Sequence, residues 1–315
     1  MIHDASKIAR VAGLIKPGVG SATVSSKRSQ TGAASSKAVI ITGDDFGFSR
    51  EVNAGVLRAH REGVLTGTSL MVAGAARDEA AAIAREAPTL DVGLHLVVCR
   101  GYAVTAPAEL PGVVDAGGAF ARNPTLAGMR YFFNRRIRVA LAAEVRAQIE
   151  LHLKLVGYLN HLDGHLNFHV HPVVADILME LASEYCIPCV RVPREPVFTT
   201  LALARDHAAR KLVEAIIFRA LSRRLRQRLA TCGIRTTDWL FGLHQSGHLS
   251  ERYLVGIVER LRPGVTEIYF HPAEDIGATP PPAAAQAEVR ILTSAKMRAA
   301  LDAAGATLTS FATIR

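Results

Sequence analysis

Ala38-Val-Ile-Ile-Thr-Gly-Asp-Asp-Phe-Gly47 is the stretch that decides the fold, because a strand-like apolar run ends in two adjacent carboxylates. Neighbouring carboxylates repel each other unless a cation lies between them, or one binds a metal while the other handles protons. Asp44 and Asp45 therefore favour a metal-dependent hydrolase. The alternative is an Asp-rich turn that caps a helix beginning near Ser49.

A metal site needs further ligands, and other apolar runs of the chain contain or end in histidines. His95 lies within Asp91-Val-Gly-Leu-His-Leu-Val-Val98, where a lone histidine is typical of a hydrogen-bonded core residue. Another run, Glu267-Ile-Tyr-Phe-His-Pro272, stops at His271. The densest group is Tyr158-Leu-Asn-His-Leu-Asp-Gly-His-Leu-Asn-Phe-His-Val-His-Pro172, with four histidines and an aspartate.

Strand-like runs alternate with helical stretches, which is typical of βα units. Helices are predicted at 51–62, 75–86, 140–155 and 172–184. In parallel β/α architectures, catalytic groups collect at the carboxyl ends of the strands. The pattern predicts an α/β fold, a distorted (β/α) TIM-like barrel, with a doubly wound open sheet as the alternative. The five residues that this rule places at the site are Asp44, Asp45, His95, His165 and His271.

The same residues resemble the YdjC-like carbohydrate deacetylases, a family similar in fold to the polysaccharide deacetylases. Thr42-Gly-Asp-Asp-Phe-Gly-Phe-Ser49 and Gly93-Leu-His-Leu96 resemble the first two motifs, while His161-Leu-Asp-Gly-His165 and Phe270-His-Pro272 complete the order. The resemblance covers about residues 37 to 312. It implies a distorted barrel of the polysaccharide-deacetylase type, a bound divalent cation, and hydrolysis of an N-acetyl group from an amino sugar.

The resemblance also implies roles for individual residues. Asp45, His95 and His165 match the metal-ligand positions, and Asp44 matches the general base. One carboxylate and two imidazoles leave open coordination positions, as a catalytic site requires. Zinc or magnesium is the expected ion. His271 is the preferred proton donor, because it ends a strand and histidine titrates near neutral pH.

Four further residues are candidates for supporting the site or binding substrate. Asp163 and His169 either orient the ligating imidazoles or hydrogen-bond around a polar turn. Arg191 and Glu195 either bind sugar hydroxyls or lie in a solvated loop.

A local variant of the motifs points to a narrower branch of the family. Residues 164–172, with Arg191-Val-Pro-Arg-Glu-Pro196 downstream, resemble the branch associated with hopanoid biosynthesis, often called HpnK. That resemblance implies deacetylation of an N-acetylglucosaminyl hopanoid. The alternative substrate is a soluble chitooligosaccharide.

Length and composition limit the architecture. A chain of 315 residues can bury one large core, and we expect one domain over residues 38–315 behind a disordered extension at 1–37. The extension lacks the continuous apolar segment of a signal peptide. No apolar run reaches the ~18 residues of a membrane-spanning helix. The expected location is cytoplasmic.

The net charge of +9 is concentrated in two segments. Arg130, Arg135, Arg136 and Arg138 flank the aromatic run Tyr131-Phe-Phe133, and basic residues mix with apolar ones from Arg205 to Arg228. Such segments can lie on an anionic membrane surface, bind nucleic acid, or form a solvated face. We expect a glycolipid or amino-sugar partner, with peripheral membrane contact and without nucleic acid. The alternative class is a non-catalytic basic protein that binds membranes or nucleic acid.

Overall fold

The computed structural model describes residues 36–314, and they contain one sheet in which all strand pairs are parallel. Its strands are β1 (Lys37–Phe46), β2 (Gly67–Leu70), β3 (Asp91–Leu96), β4 (Leu162–Gly164), β5 (Trp239–Phe241), β6 (Gly264–Phe270) and β7 (Ala306–Leu308). The order across the sheet is β4-β3-β2-β1-β6-β5. The central strand β1 also pairs β7 beside its first residues. All strand ends that carry predicted site residues therefore meet at one edge.

Helices follow most strands and cover the sheet. They are α1 (Arg50–Glu62), α2 (Arg77–Glu86), α3 (Pro124–Phe133), α4 (Arg138–Val156), α5 (Pro172–Ala182), α6 (Val197–Leu203), α7 (Ala208–Thr231), α8 (Glu251–Glu259), α9 (Ala283–Leu292) and α10 (Ala295–Ala303). Short 3₁₀ turns occur at Pro107–Glu109, Arg135–Ile137 and His165–Val170. The predicted helices correspond to α1, α2, α4 and α5, with bounds that differ by one or two residues.

The predicted α/β fold with a parallel sheet is confirmed, but the predicted barrel is not fully closed. Between β4 and β5 the chain makes only single bridges, Leu162 to Val190 and Cys189 to Arg235, so the sheet is a half-barrel. The bridging segment contains Pro188, Pro193 and Pro196. Proline has no N–H to donate to a ladder, so this segment cannot pair as a continuous strand.

The core lies between the sheet and the helices, and most strand residues are buried. β2 and β3 are buried along their whole length, and so are the middle residues of β1. Such continuous burial is typical of parallel strands covered on both faces. Among residues 36–314, no helix combines the length and apolar content needed to span a bilayer.

The predicted disordered extension falls almost entirely on residues 1–35, which lie outside the described residues. Lys37, the last residue assigned to that extension, belongs to β1.

Candidate metal centre

A break in the regularity of β1 brings both aspartates to one site. In a regular strand successive side chains point to opposite faces. The pairing of β1 with β2 shifts register between Gly43 and Phe46, and Asp45 adopts a left-handed backbone with φ of 64°. Aspartate tolerates this conformation better than most residues. Asp44 and Asp45 therefore both reach the catalytic edge. The helix cap is instead Ser49, whose side chain accepts a hydrogen bond from Val52 N, so the turn-and-cap alternative for the aspartates is wrong.

Asp45, His95 and His165 form the candidate metal-binding trio. Asp45 Oδ1 lies 3.1 Å from His95 Nε2 and 2.9 Å from His165 Nδ1. One donor atom from each residue falls within 4.8 Å of the others. His95 is buried, whereas Asp45 and His165 keep about a fifth of their side chains exposed. Solvent therefore reaches the trio through Asp45 and His165.

The donor set fits a divalent cation. Within residues 36–314, His95 Nε2 is buried without a hydrogen bond of acceptable geometry, although it is aimed at Asp45. A buried nitrogen without a hydrogen bond is costly unless a ligand takes its lone pair. Two imidazoles and one carboxylate are ligands that suit a transition ion. These three residues can therefore hold a metal ion.

Two side chains hold the other nitrogen of His95. His95 Nδ1 donates to Asp163 Oδ1 at 2.7 Å, and Ser69 Oγ lies 3.0 Å from the same nitrogen. His95 and Asp163 are paired residues on β3 and β4, so the sheet register itself sets this contact. With the proton held on Nδ1, the other ring nitrogen, Nε2, faces Asp45 and can serve as a metal ligand. Asp163 thus lies behind a candidate ligand, as one of its two predicted roles required.

Arg191 is the hub of a second, fully buried cluster. Its guanidinium binds Asp44 through two hydrogen bonds, NH1 to Oδ2 at 2.7 Å and NH2 to Oδ1 at 2.8 Å. NH2 also lies 2.9 Å from Asp163 Oδ2, and Nε donates to Glu267 Oε1 at 2.8 Å. Asp44, His95 and Asp163 also have donor atoms within 4.8 Å of one another. However, the guanidinium already supplies the cation between those carboxylates, so the trio is the better metal position.

The burial of Arg191 corrects the prediction that it binds sugar hydroxyls or lies in a solvated loop. None of its side chain is exposed. His169 is also fully buried, and its Nε2 lies 2.9 Å from the carbonyl oxygen of Arg191. Burial lowers the pKa of His169 to about 4, so the ring is neutral and donates to that carbonyl. His169 therefore supports Arg191 and does not face substrate.

Glu195 braces the loop that follows β5. Its Oε2 accepts hydrogen bonds from Leu243 N at 2.8 Å and His244 N at 3.1 Å, and Oε1 accepts one from Thr200. These contacts use both carboxylate oxygens. The expectation of a sugar-binding or freely solvated residue is therefore not met at Glu195.

His271 directly follows β6 at the same edge. It continues the alternation of Glu267 and Tyr269, whose side chains both contact Arg191. The His271 ring packs edge-on against Tyr269, with centroids 5.7 Å apart, and its backbone N–H donates to Glu288. The structure places the His271 ring against Tyr269, at the same sheet edge as Asp44, and does not bring it into the trio.

The charged groups of the site shift one another's pKa values. Burial would raise the pKa of Asp45, but the imidazoles of His165 and His95 beside it outweigh this effect and hold that pKa well below its usual range. Burial by itself would lower the pKa of His95. The carboxylates of Asp163 and Asp45 outweigh burial and raise that pKa to about 10. Burial raises the pKa of Glu267 to about 7 against the effect of Arg191. A metal ion that binds His95 must therefore displace the proton that its neighbouring carboxylates favour.

Three residues of the site were not predicted from the sequence: Ser69, Glu267 and Tyr269. Glu267 carried a detectable signal, since it is a charged residue inside an otherwise apolar strand, and such residues are almost never fully buried without a partner. Ser69 and Tyr269 carried no comparable signal, because small polar and aromatic residues are ordinary in buried strands.

A family model described as "YdjC-like protein" matches residues 38–303, nearly the whole described chain. The chain belongs to the YdjC-like family. A carbohydrate deacetylase of Geobacillus stearothermophilus is 30% identical over 74% of this chain and 78% of the relative. Carbohydrate deacetylases of Brevibacillus brevis (37% identical) and Vibrio cholerae O395 (38% identical) match 49% and 48% of this chain. The chain spans 59% and 57% of the length of those two relatives.

A solved structure shares the YdjC-like fold. It is a proposed cellobiose-phosphate cleavage protein from Enterococcus faecalis V583, with a TM-score of 0.68 and 24% identity, covering 88% of this chain and 98% of the other. The likeness at this identity supports the half-barrel architecture alone.

Proposed function

We propose that this chain is a metal-dependent hydrolase that removes the N-acetyl group from an N-acetylated amino sugar. The observation that carries the proposal is the solvent-accessible trio of Asp45, His95 and His165 directly beside the buried carboxylate of Asp44. Relatives named carbohydrate deacetylases support the reaction class. A non-catalytic binding protein has no need of this arrangement.

Asp45, His95 and His165 would hold the ion. When bound, a divalent cation polarises the acetyl carbonyl and makes water more acidic. Two imidazole ligands favour zinc over magnesium by ligand preference.

Asp44 is proposed as the general base. The two parallel hydrogen bonds from Arg191 fix the orientation of its carboxylate. From that position Asp44 accepts the proton of the attacking water as the carbon–oxygen bond forms. Asp163 keeps the Nδ1 proton on His95, so the facing nitrogen stays available as a ligand.

His271 is proposed to donate the proton that the departing amine needs when the carbon–nitrogen bond breaks. It lies at the same edge as Asp44, because β6 and β1 are paired up to Gly43 and Phe270. The products are acetate and a free amino sugar.

The proposed substrate is an N-acetylglucosaminyl hopanoid, with a soluble chitooligosaccharide as the alternative. The resemblance of residues 164–172 to the hopanoid branch supports the first. Exposed apolar residues next to the candidate ligands in the chain also support it: Phe48 follows Asp45 by three residues, and Leu166 directly follows His165. Apolar residues beside the ligands suit a sugar attached to an apolar body better than a free oligosaccharide.

The test is acetate release from N-acetylglucosaminyl hopanoid and from diacetylchitobiose by metal-stripped protein, with and without added zinc or magnesium. We expect release to depend on metal, and Asp44→Asn to lower kcat/KM by at least about 100-fold. Asp302→Asn, an exposed aspartate on α10, is the matched control and should keep full activity.

Metal content separates the roles of the two adjacent aspartates. Asp45→Asn should lose bound zinc by elemental analysis, whereas Asp44→Asn should retain it. Metal-dependent release from diacetylchitobiose alone would keep the reaction and change the substrate. Full activity in Asp44→Asn, or in protein stripped of metal, would overturn the proposed mechanism.

A further inference from the structure

Most of the large exposed apolar side chains of the described molecule lie on a few helices. Ten of the fourteen lie on α6, α7, α3 and the first turn of α4. They are Leu126, Met129, Phe132, Phe133, Val139, Phe198, Leu212, Val213, Ile216 and Ile217. The other four, Phe48, Tyr102, Leu166 and Ile276, occur in loops after β1, β3, β4 and β6. Single exposed apolar residues are ordinary, but a concentration on a few helices marks an interaction surface.

The helix α3 is attached to the catalytic edge. It lies in the long connection that follows β3, and Tyr131 donates its hydroxyl proton to the carbonyl of Val98 at 2.7 Å, two residues beyond that strand. The ring of His171, just after the turn that carries His165, lies 3.0 Å from the carbonyl of Gly128. With these contacts made, Phe132 and Phe133 remain 54% and 76% exposed.

The first half of α7 lies at the same edge. Glu214 of α7 is 3.5 Å from the ring of His244, which belongs to the loop after β5. Beside it, Ile216 and Ile217 are 70% and 52% exposed. Both helices therefore carry exposed apolar side chains and contact segments at the catalytic edge of the sheet. We call the exposed apolar residues of α3, α6, α7 and the start of α4 the rim.

Arginines accompany the rim. Arg135, Arg136, Arg223 and Arg224 are exposed. A groove of about 540 Å³ lies between α3, α5 and α7, and its lining includes Phe132, Arg135, Arg138 and Arg224 with one carboxylate, Asp176. Asp176 pairs with Arg224 and Arg228. The groove joins the two basic segments of the sequence in one cationic, partly aromatic surface.

We infer that the rim docks on the surface of an anionic phospholipid bilayer, with the apolar side chains among the acyl chains and the arginines at the phosphates. Apolar residues bordered by arginines are what interfacial binding requires. A second copy of the chain is a poorer occupant, because two arginine-rich surfaces repel each other. Docking in this orientation turns the trio toward the membrane interface. The inference deepens the proposed function, on which it rests for the glycolipid substrate.

The experiment is sedimentation of the full chain with vesicles of phosphatidylcholine, with or without phosphatidylglycerol, at low and high salt. We expect retention on the anionic vesicles at low salt and release at high salt. Arg135→Glu with Arg136→Glu should lower the partition coefficient at least about 20-fold. The matched control is Arg61→Glu with Arg290→Glu, exposed arginines on α1 and α9, which should change it less than about 2-fold.

Apolar substitutions test the second component. Ile216→Asn with Ile217→Asn should reduce retention even at low salt, while thermal unfolding shows that the variant is folded. Docking by the rim would be overturned if the Arg135/Arg136 pair and the Arg61/Arg290 control pair lost vesicle retention equally. It would also be overturned if the wild type were not retained. A change of molecular mass in the rim variants with vesicle retention intact would identify a subunit interface, and equal competition by RNA would identify a general polyanion surface; either result overturns the inference.

The vesicle assay is independent of catalysis, so the two proposals fail separately. Asp44→Asn should be retained as well as the wild type. Retention without acetate release from any substrate would leave docking in place and remove the deacetylase. Deacetylation of the glycolipid without retention on vesicles would leave the deacetylase in place and remove the docking.

Discussion

At the scale of single residues, the site depends on one cation held among three carboxylates. Arg191 faces Asp44, Asp163 and Glu267, and all four side chains are buried. Partial neutralisation explains why two adjacent aspartates are tolerated: Arg191 balances Asp44, while two histidines face Asp45. Asp44 and Asp45 thus have different electrostatic partners although they are neighbours in the chain.

Removing the guanidinium should destabilise the protein strongly. Arg191→Met leaves buried carboxylates without a counter-charge, and we expect a loss of about 3–5 kcal/mol in the free energy of unfolding. Arg191→Lys should recover only part of this, because an ammonium cannot make the paired hydrogen bonds to Asp44. Urea denaturation measures both.

A surface pair provides the control. Arg146 binds Glu184 with two hydrogen bonds, and both side chains are well exposed. Arg146→Met should cost about 1 kcal/mol or less. A similar loss of stability in Arg146→Met and Arg191→Met would show that Arg191 does not balance the buried carboxylates as described above.

At the scale of elements, the close approach of α1 to the segment after β6 helps to set the position of His271. A Cβ on Gly55 would lie 2.7 Å from Ala273 Cα and 2.8 Å from its nitrogen, so only glycine fits between α1 and this backbone. Ala273 is two residues beyond His271.

Gly55→Ala should therefore reverse the usual effect of this substitution in a helix. Alanine normally stabilises a helix relative to glycine by about 1 kcal/mol, but the clash with backbone should produce a net loss of about 1–3 kcal/mol. Gly128→Ala in α3 is the control, since its Cβ would meet the rings of His171 and Phe168 at ordinary distances of 3.5 Å and 3.8 Å. Thermal unfolding of the two variants should give shifts of opposite sign, or no shift for Gly128→Ala. Equal stabilisation by both would contradict the packing described for α1.

The irregular segment between β4 and β5 accounts for the open side of the sheet. The segment around Val190 lies between β4 and β5, but its prolines permit only single bridges. Arg191 comes from this irregular segment. Its side chain enters the barrel interior there, and His169 holds its backbone.

At the scale of the whole molecule, buried neutral histidines should make stability depend on pH. Burial, with a smaller effect of His161, lowers the pKa of His152 to about 3. In the unfolded chain a histidine has a pKa near 6.5, so between those values the unfolded state binds a proton that the folded state does not. The contribution of His152 is therefore complete above about pH 6.5 and declines as pH falls.

The expected slope is up to about 1.4 kcal/mol per pH unit for each such histidine. His169, with a pKa near 4, acts in the same direction. His95 adds nothing to the change below pH 6.5, because its raised pKa leaves it protonated in both states there. Urea denaturation from pH 7 to pH 5 should show stability falling with acid, with a shallower slope in His152→Gln. His248→Gln, on an exposed loop residue, should keep the original slope; an unchanged slope in His152→Gln would refute this origin of acid sensitivity.

The sequence by itself determined the alternation of strands and helices, the strand ends, and the residues that gather at them. Those features follow from periodicity and from the rule that parallel strands share an edge, which is why Asp44, Asp45, His95, His165 and His271 could be grouped before any coordinates. The choice of Asp45, His95 and His165 as metal ligands came from the resemblance to the family. Only the tertiary structure decided which carboxylate meets which cation. The bulge in β1, the burial of Arg191 and its contact with Glu267 depend on packing between segments as many as 147 residues apart. Sequence patterns report local periodicity, whereas the partner of a buried charge is set by long-range packing. For that reason the same arginine was expected to bind sugar hydroxyls or to lie in a solvated loop.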